Sequence, residues 1–572
     1  MNGQTPDAEP YNYLQLSNRL KPDMDKYSAT WWQTATGYQI YPRSFCDSNG
    51  DGIGDIQGII SKLDYLEYLG IEFIWLSPVY DSPMADNGYD IRDYQSIAAE
   101  FGSLKDMDEL ICEAHARGIG IVMDLVINHT SCEHAWFKAS KKSEDCQEHD
   151  FYIWRDPAPD GGAPDNQQAC FGGSAWHFAH EIGKYYFGYF SAAQPDLNWQ
   201  NPKLREKIYA MMNWWLDRGI AGFRMDVISL IGKDVDRRQY EEGPYLHTFL
   251  QEMNRKTLSE RNVVTIGESW SVCPQTALLY CGRNRHELDM VFQFNHIMAD
   301  WEPGLGKFNR KPFNLVTLKH VLNEWQATLA DDGWNSLFLS NHDLPRQVSK
   351  YGDDGEYRVR SAQMLATIIH LMKGTPFIYQ GEEIGMTNVC FERLDQFRDI
   401  ETLGHYAEQA KLGVSESDFI AGANTNGRDN ARTPMQWTAG PNAGFSAGEP
   451  WIDVNPNYSE INVEAEQSNG DGILAYYRKL ISLRKSLPII THGRFVPHAE
   501  DHPQILAFSR QIDGTRLSVL ANFSAKSINF DVPESMAVEG ACLIHNMRER
   551  SKLEGPLALA PYEAIAVLGD IG

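Results

Sequence analysis

Short apolar segments rich in β-branched and aromatic residues recur along the chain, and each is followed by a segment with helical periodicity. The helical segments, such as GIISKLDYLEYLG and SLKDMDELICEAHARG, end in a glycine, the residue at which helices commonly stop. The pattern therefore predicts alternating strands and helices. The apolar segments are GYQIYPRSF from Gly37, FIWLSPV from Phe73, IGIVMDLVINH from Ile119, GFRMDVI from Gly222, VVTIGES from Val263, DMVFQF from Asp289, SLFLSNHD from Ser336 and TPFIYQGEE from Thr375.

Strand and helix alternating eight times are typical of an α/β protein with a (β/α)8 barrel of the TIM type. An open, doubly wound sheet is the alternative, and such a sheet usually carries a glycine-rich turn that binds phosphate. No turn of that kind follows any of the apolar segments. We therefore expect the barrel.

Two further regions depart from the barrel pattern. Residues 130–202 are rich in aromatic, Gly, Asp and Pro residues, which predicts a small domain inserted after strand 3, above the rim of the barrel. Segments such as QILAFSRQI and TRLSVLANF predict a C-terminal antiparallel β-sandwich over residues 488–572. The barrel is then assigned to residues 31–129 and 203–487, and residues 1–30 are expected to form an irregular arm.

The charge balance argues against polyanionic partners. The chain has 51 basic and 77 acidic residues, a formal charge of −26. This negative charge argues against nucleic acid and anionic membrane surfaces as partners. It has no apolar run of about 18 residues and no apolar signal segment at its N-terminus. Its nine cysteines have no regular spacing, which argues against a disulfide framework. We expect a soluble, cytoplasmic protein; a monomer is compatible with the sequence, which does not determine the oligomeric state.

Polar residues stand at the ends of several predicted strands. In a barrel the carboxyl ends of all strands meet at one rim, so residues far apart in sequence converge there. A single polar residue at a strand end is usually a cap, but a repeated pattern indicates a functional site. The residues are Asp124, Asn128, His129, Asp226, Glu268, His342 and Asp343.

Two of these carboxyl groups suit cleavage of a glycosidic bond, in which one attacks the anomeric carbon and the other protonates the leaving oxygen. Arg224 and Asp226 are two positions apart, so they point to the same face of a strand, and the arginine charge favours the ionised nucleophile. Glu268 lies in an apolar strand before Trp270, surroundings that favour the protonated acid. Asp343 is a third carboxylate, placed to bind sugar hydroxyls and stabilise positive charge on the ring.

Five segments carry a family resemblance. DLVINH, GFRMDV, GES, SNHD and QPDLNW closely resemble the signature segments of the α-amylase family of glycoside hydrolases, family 13. SPMADNGYDIRDY, QGEEIGMTN and RDNARTPMQW resemble the branch that contains oligo-1,6-glucosidases, dextran glucosidases and related α-glucosidases. The resemblance covers the chain from about Trp31 onward.

The resemblance implies a retaining mechanism in which Asp226 is the nucleophile, Glu268 the acid/base and Asp343 the transition-state stabiliser. It also implies an exo-acting α-glucosidase that releases glucose from the non-reducing end of isomaltose, isomaltulose, panose and isomalto-oligosaccharides. Asp86 and Arg428 would block the far side of that glucose, and Val227 would favour α-1,6 over α-1,4 linkages. The residues expected around the substrate are Asp86, Tyr89, His129, Phe171, Arg224, Val227, His342 and Arg428.

The segment DSNGDGIGD is a candidate calcium loop. Its oxygen-bearing side chains alternate with small residues, so that a tight loop can direct several oxygens at one cation. The same loop holds Ca²⁺ in the branch that the chain resembles, and we expect a structural ion and no organic cofactor. The predicted ligands are Asp47, Asn49, Asp51, the carbonyl oxygen of Ile53, and Asp55.

Two other functions remain open. A sucrose isomerase or transglucosylase would use the same glucosyl-enzyme chemistry. Sucrose isomerases carry an Arg-Leu-Asp-Arg-Asp loop just after the sixth strand, where this chain reads HIMADW, and the similar string RLDQFRD from Arg393 follows the eighth strand and is assigned no function. A non-catalytic binding role, as in transporter-associated proteins of this fold, is disfavoured by the three intact carboxylates.

Overall fold

The computed structural model describes residues 29–302 and 306–571. Its centre is a sheet of eight parallel strands, and each strand lies within one of the eight predicted segments. The predicted arm of residues 1–30 lies almost wholly outside the described residues. The strands are β1 (Gly37–Ile40), β2 (Phe73–Leu76), β3 (Gly120–Leu125), β4 (Gly222–Met225), β5 (Val264–Ser269), β6 (Met290–Gln293), β7 (Ser336–Leu337) and β8 (Thr375–Tyr379).

The sheet curls into a closed barrel. Strand order is β6-β5-β4-β3-β2-β1-β8-β7, and a parallel bridge between Val291 and Asn335 joins the two ends. The strands are buried along nearly their full length, as expected where helices cover a parallel sheet. Gly37 is required where the rings of Phe73 and Phe377 fill the barrel, because a Cβ there would lie 2.5 Å from the Phe73 ring.

Helices surround the barrel and bury one face each. Leu104–Ala116 illustrates the pattern: Ser103 caps its first turn by accepting a hydrogen bond from the Asp106 N–H, and Met107, Leu110 and Ala114 recur at helical spacing on its buried side. The remaining helices that follow the strands are Ile56–Ile60 and Leu63–Leu69, Pro202–Asp217, Leu246–Met253, Pro274–Cys281, Leu315–Thr328, Arg358–Leu371 and Ile473–Ser486.

A small sheet stands above the rim after β3, inside the predicted insertion of residues 130–202. It has three antiparallel strands, Trp154–Arg155, Lys184–Phe187 and Trp176–Ala179, preceded by the helix Ala135–Ser140. A buried lysine ties this region to the barrel: Lys233 Nζ lies 2.8 Å from Asp196 and 2.5 Å from the Asn128 amide oxygen.

A second excursion, which the sequence analysis did not predict, follows β8. Two helices, Ile400–Lys411 and Glu416–Asn426, close over their own apolar cluster, in which Phe391, Phe397 and Phe419 are buried. Their amphipathic pattern resembles that of a barrel helix, so the sequence alone does not distinguish the two. Beside them, Trp301–Glu302 pairs with Gly306–Arg310 after β6, and Phe308 packs against Phe419 with ring centres 5.2 Å apart.

The C-terminal region is antiparallel, as predicted, and its main sheet has five strands. Lys319 on the barrel holds it by donating to the carbonyl oxygens of Ala499, His502 and Ile505. The five strands are, in spatial order, Arg494–His498, Ile505–Ile512, Thr515–Asn522, Ala564–Asp570 and Ala541–His545. Two further strand pairs complete the region: Ile528–Val532 with Gly555–Leu559, and Val538–Glu539 with Lys552–Leu553. Within residues 29–302 and 306–571, no helix combines the length and the apolar character needed to cross a bilayer.

Candidate active site

A deep pocket opens at the carboxyl end of the barrel, between the inserted sheet and the helices that follow β8. Nine of the residues predicted from the sequence line it, which confirms that the strand ends converge. They are Asp86, Tyr89, His129, Phe171, Asp226, Val227, Glu268, Asp343 and Arg428. The other two predicted residues, Arg224 and His342, are buried directly behind this lining.

Arg224 on β4 is the centre of the site's charge network. One of its terminal nitrogens lies 2.9 Å from Asp124 and 2.9 Å from Asp226, and the other lies 2.7 Å from Glu268. A buried guanidinium is tolerated because these carboxyl groups surround it. Asp226 and Glu268 bind adjacent nitrogens of one guanidinium, so both carboxyl groups face the same small space.

This sharing changes the expected ionisation of Asp226. The sequence predicts that Arg224 favours its charged form, and Arg224 does act in that direction. Burial is the larger effect, however, and the charges of Glu268 and Asp124 add to it, so the pKa of Asp226 is raised well above its usual value. Arg224 therefore acts in the predicted direction, but no local pattern indicates that three carboxyl groups compete for this one arginine, and burial together with the two other carboxyl groups outweighs it.

Glu268 ends β5 and is held by the chain that follows β4. The backbone N–H of Val227 donates to its Oε2 at 2.9 Å, and the indole N–H of Trp270 lies 3.3 Å from its Oε1. Val227 has a φ of 35°, a left-handed conformation that is costly for a β-branched residue. The strained backbone therefore directs its N–H at Glu268 and sets the Val227 side chain in the pocket wall.

Asp343, at the end of the seventh predicted segment, lies between two arginines. Arg432 Nη2 is 2.9 Å and Arg428 Nη1 is 3.3 Å from its Oδ1. Burial opposes ionisation of Asp343, but the neighbouring positive charges outweigh burial and hold its pKa well below the usual range. Asp343 is therefore a fixed negative charge facing the pocket, as a stabiliser of developing positive charge requires.

His342 is neutral and fixed in one orientation. Burial lowers its pKa to about 3. Its Nδ1 lies 2.8 Å from the Gln39 amide nitrogen and accepts that hydrogen bond, so Nε2 carries the proton and faces the Tyr89 hydroxyl at 2.7 Å. Tyr89 in turn donates to Asp124 at 3.0 Å. The chain of contacts holds Tyr89 and leads back to Arg224.

One end of the pocket is closed. Arg428 Nη2 lies 3.3 Å from Asp86 and 2.6 Å from Asp399, and its guanidinium carbon is 5.1 Å from the centre of the Phe171 ring. Gln194 donates to Asp86 at 3.1 Å. Burial is the main effect on Asp86 and raises its pKa to about 7, against the opposing charge of Arg428. Asp86, Arg428, Asp399, Phe171 and Gln194 thus form one connected wall of the pocket.

The sequence analysis missed several residues of the site. Asp399, the last residue of the string RLDQFRD, holds Arg428, although the string was assigned no function. Glu401 lines the pocket from the first turn of the unpredicted helix Ile400–Lys411 and pairs with Lys307, which lies in the strand Gly306–Arg310 after β6. Loop residues of this kind carry no periodic signal. The other lining residues that were not predicted are Cys170, Tyr189, Phe190, Ser229, Leu230, Glu241, Trp270 and Trp301.

The candidate calcium loop folds around its own side chains. Asp47 accepts hydrogen bonds from the N–H groups of Asn49, Gly50 and Gly52, and Asp55 caps the following helix through the Gly58 N–H. Asn49 and Asp51 each accept from the N–H two residues further on, at 2.9 Å. The donor types suit Ca²⁺. As folded, no group of three or more His, Cys, Asp or Glu residues in the described part of the chain is arranged to hold a metal.

Comparison with known proteins agrees with this geometry. The family model of the α-amylase catalytic domain matches residues 39–493. The chain is 53% identical to a palatinase of Erwinia rhapontici and 51% identical to an oligo-1,6-glucosidase of Halalkalibacterium halodurans, each over 95% of this chain and 99% of the relative. It also resembles the isomaltulose synthase structure from Protaminobacter rubrum, with a TM-score of 0.92, 39% identity, and coverage of 95% of this chain and 99% of that one.

The family match covers most of the chain, and the three carboxyl groups at the ends of separate strands lie in one pocket, as glycosidic bond cleavage requires. The chain belongs to the α-amylase family of glycoside hydrolases, in its oligo-1,6-glucosidase branch.

Proposed function

We propose that the protein is a retaining, exo-acting α-glucosidase that releases glucose from the non-reducing end of short α-glucosides and prefers α-1,6 linkages. The closed end of the pocket is the observation that carries this proposal. Asp86 and Arg428 pair at 3.3 Å in the pocket wall, and we take this pair to bound the site for one terminal glucose and to stop the chain from continuing beyond it. The names of relatives, palatinase and oligo-1,6-glucosidase, support the same substrate class.

In the proposed mechanism Asp226 attacks the anomeric carbon while Glu268 protonates the glycosidic oxygen. Glu268 then removes a proton from a water molecule. This water attacks the anomeric carbon, breaks its bond to Asp226 and releases glucose. Before substrate enters, Arg224 is shared among Asp124, Asp226 and Glu268. Protonation of Glu268 removes one competing charge, so Arg224 then favours the ionised Asp226. Asp343 stabilises the positive charge that develops on the ring.

Product analysis tests the proposed activity. Purified protein is incubated with isomaltose, isomaltulose, panose, maltose and sucrose, and the products are resolved by chromatography. We expect glucose from isomaltose and isomaltulose at rates above that from maltose. Conversion of sucrose into isomaltulose with little free glucose would instead identify a sucrose isomerase, and an absence of turnover on every substrate would favour a binding role.

Replacing Val227 with Thr is expected to raise the ratio of kcat/KM for maltose to that for isomaltose by about 10-fold, which corresponds to about 1.4 kcal/mol. Val227 follows Asp226 and lines the pocket, and its strained backbone fixes where its methyl groups lie. These methyl groups crowd an α-1,4-linked ring held close to the glucose, whereas the CH₂ of an α-1,6 link lets the second ring swing aside. A threonine hydroxyl offers that ring a hydrogen bond.

The matched control is Val235→Thr, because Val235 is also buried but lies outside the catalytic pocket. It should leave the ratio within twofold of wild type. Wild-type protein that cleaves maltose faster than isomaltose would contradict the role of Val227 before any variant is made.

We also propose that the loop from Asp47 to Asp55 holds a structural Ca²⁺, on the basis of its donor types and spacing. Gly52 has a φ of 89°, and a Cβ there would lie 1.9 Å from the Glu449 carbonyl oxygen, so the loop is a tight turn packed on its neighbour. The ligands would be Asp47, Asn49, Asp51, the Ile53 carbonyl and Asp55. No step of the reaction depends on this ion.

Exhaustive chelation is expected to lower the melting temperature and leave the pH profile of kcat/KM unchanged. An ion that binds only the folded protein stabilises it by about 2.7 kcal/mol at 100 times its dissociation constant. Asp51→Ala should reproduce the loss. Asp160→Ala is the control, since Asp160 accepts from an N–H two residues on at 2.9 Å, as Asp51 does, but lies in another loop. An unchanged melting temperature after confirmed metal removal would contradict the site.

A cytoplasmic location is a further proposal. All nine cysteines are free thiols, as expected in a reducing compartment, and three of them, Cys112, Cys170 and Cys390, are exposed. Fractionation of the source cells would test it.

A further inference from the structure

One acidic residue of the pocket has no cation beside it. Six acidic residues line the pocket, and five of them form ion pairs with arginine or lysine: Asp86, Asp226, Glu268, Asp343 and Glu401. The sixth is Glu241. Among the described residues it forms no ion pair, and its Oε2 is buried and accepts no hydrogen bond.

The residues on both sides of Glu241 are held in place, one by a backbone hydrogen bond and the other by a ring contact. The N–H of Glu242 donates to the Ser229 carbonyl oxygen at 3.0 Å, which fastens this turn to the chain that follows β4. On the other side, the Tyr240 ring stacks on Phe187 of the inserted sheet, with ring centres 5.6 Å apart. These contacts fix the turn, so the fold itself places the Glu241 carboxyl group in the pocket wall.

The turn lines the pocket beside the chain that follows Asp226. Ser229 is three residues after Asp226, and Ser229 and Leu230 line the pocket together with Glu241. Asp86 and Arg428, which lie 3.3 Å apart, line the same pocket. If the terminal glucose lies against this pair with its anomeric carbon at Asp226, its leaving group extends along the remaining lining, to which Ser229, Leu230 and Glu241 belong.

A buried carboxyl oxygen without a donor is destabilising, because it has lost water and gained no partner. The partner that a substrate can supply at this position is the set of hydroxyl groups on the second sugar. An anionic leaving group would be repelled by the carboxyl group of Glu241. Lys307, which also lines the pocket, is already paired with Glu401 and so does not offset this repulsion.

We propose that Glu241 is a specificity-determining residue that accepts hydrogen bonds from hydroxyl groups of the leaving sugar. It selects neutral, hydroxyl-bearing leaving groups over aromatic ones. This inference rests on the proposed function, in that it takes the enzyme to hydrolyse a disaccharide from its non-reducing end.

The test compares two substrates that share the glucose and differ in the leaving group. Isomaltose has a hydroxyl-bearing leaving sugar, whereas nitrophenyl α-glucoside has an aromatic leaving group without hydroxyls. Glu241→Ala should reduce kcat/KM for isomaltose by about 10-fold or more, as expected for loss of a hydrogen bond to a charged group, and change that for the nitrophenyl substrate by less than twofold. Glu241→Gln keeps an acceptor of the same shape and should show a smaller, equally selective loss.

Glu242→Gln is the matched control, because Glu242 lies in the same turn but its Oε1 already accepts from the Tyr280 hydroxyl at 3.1 Å. It should leave the ratio of the two substrates unchanged. Equal losses on both substrates, or no loss on isomaltose in either Glu241 variant, would overturn the inference. The wild-type rates on isomaltose and maltose test the proposed function separately, and if maltose is the better substrate the same comparison is made with maltose.

Discussion

Replacing Glu268 with Gln is expected to reduce turnover of isomaltose by about four orders of magnitude while the protein stays folded. Glutamine keeps an oxygen that accepts from the Val227 N–H and from Arg224, the contacts that hold Glu268 at 2.9 and 2.7 Å. It has no proton to give to the leaving oxygen and no basic oxygen to activate water, so both steps of the reaction slow.

The substrate dependence separates a catalytic loss from a structural one. A nitrophenyl leaving group needs little help from an acid, so the Glu268→Gln variant should release about one equivalent of nitrophenol in a rapid burst and then stop at the glucosyl-enzyme. Asp226→Ala should give no burst and no turnover on any substrate, since the nucleophile itself is missing. Rates on isomaltose near those of wild type in the Glu268 variant would show that its assignment as the acid is wrong.

Asp289→Asn is a control for loss of a buried carboxyl group. Asp289 accepts hydrogen bonds from Thr265 at the opposite end of the barrel, and burial raises its pKa to about 6. It is therefore a buried acid with a perturbed pKa that is far from the rim. Its replacement should leave kcat/KM for isomaltose within about twofold of wild type, whatever it does to stability.

Replacing Arg428 with Gln is expected to reduce kcat/KM for every glucoside by about three orders of magnitude. Arg428 lies 3.3 Å from Asp86, 3.3 Å from Asp343 and 2.6 Å from Asp399, and all three carboxyl groups are buried or nearly so. Removing one partner of a buried ion-pair network leaves an uncompensated charge, which destabilises the folded protein by about 3–5 kcal/mol. The wall of the pocket that is proposed to hold the terminal glucose is lost with it.

The pH profile provides a second readout of the Arg428 variant. Arg428 is one of the charges that lower the pKa of Asp343 against the effect of burial. Its removal raises that pKa, so Asp343 takes up a proton at a higher pH than in the wild type. Activity that depends on the ionised Asp343 is then lost earlier as the pH falls, and the acid limb of kcat/KM moves upward.

Arg393→Gln is the control, because Arg393 also follows β8 but is exposed and pairs with Asp395 on the surface. It should change neither kcat/KM nor the acid limb. An Arg428→Gln variant that keeps a tenth or more of wild-type activity with an unmoved acid limb would contradict the assignment of Arg428 to the glucose site. Melting curves of both variants distinguish loss of the site from loss of the fold.

Much of the barrel was predictable because burial constrains composition. A strand covered by helices on one side and by the barrel interior on the other is apolar along its length, so all eight strands are visible as apolar segments. Polar residues such as Asp226 and Glu268 stand out against that background at the strand ends. Closure of the barrel then brings them together without further information, and the predicted lining residues do meet in one pocket.

The electrostatics of the site were not predictable in the same way. Arg224 and Asp226 are near neighbours in sequence, which predicts that the arginine charge favours the ionised Asp226. The pKa of Asp226 is raised instead, because burial and the charges of Glu268 and Asp124 outweigh Arg224. Asp124 is 100 residues away from Arg224 and Glu268 is on another strand, so no local pattern indicates that they share one cation.

By itself, the sequence determined which segments are strands, which polar residues end them, and therefore which side chains meet at the rim. These depend on the local period of apolar residues and on the identity of single residues. The tertiary structure decided the rest: that Asp399 and Glu401 reach Arg428, that loop residues of the insertion and the turn at Glu241 line the pocket, and how three carboxyl groups divide one guanidinium. These depend on distances between loops and strands far apart in the chain, and charge interactions change steeply with such distances.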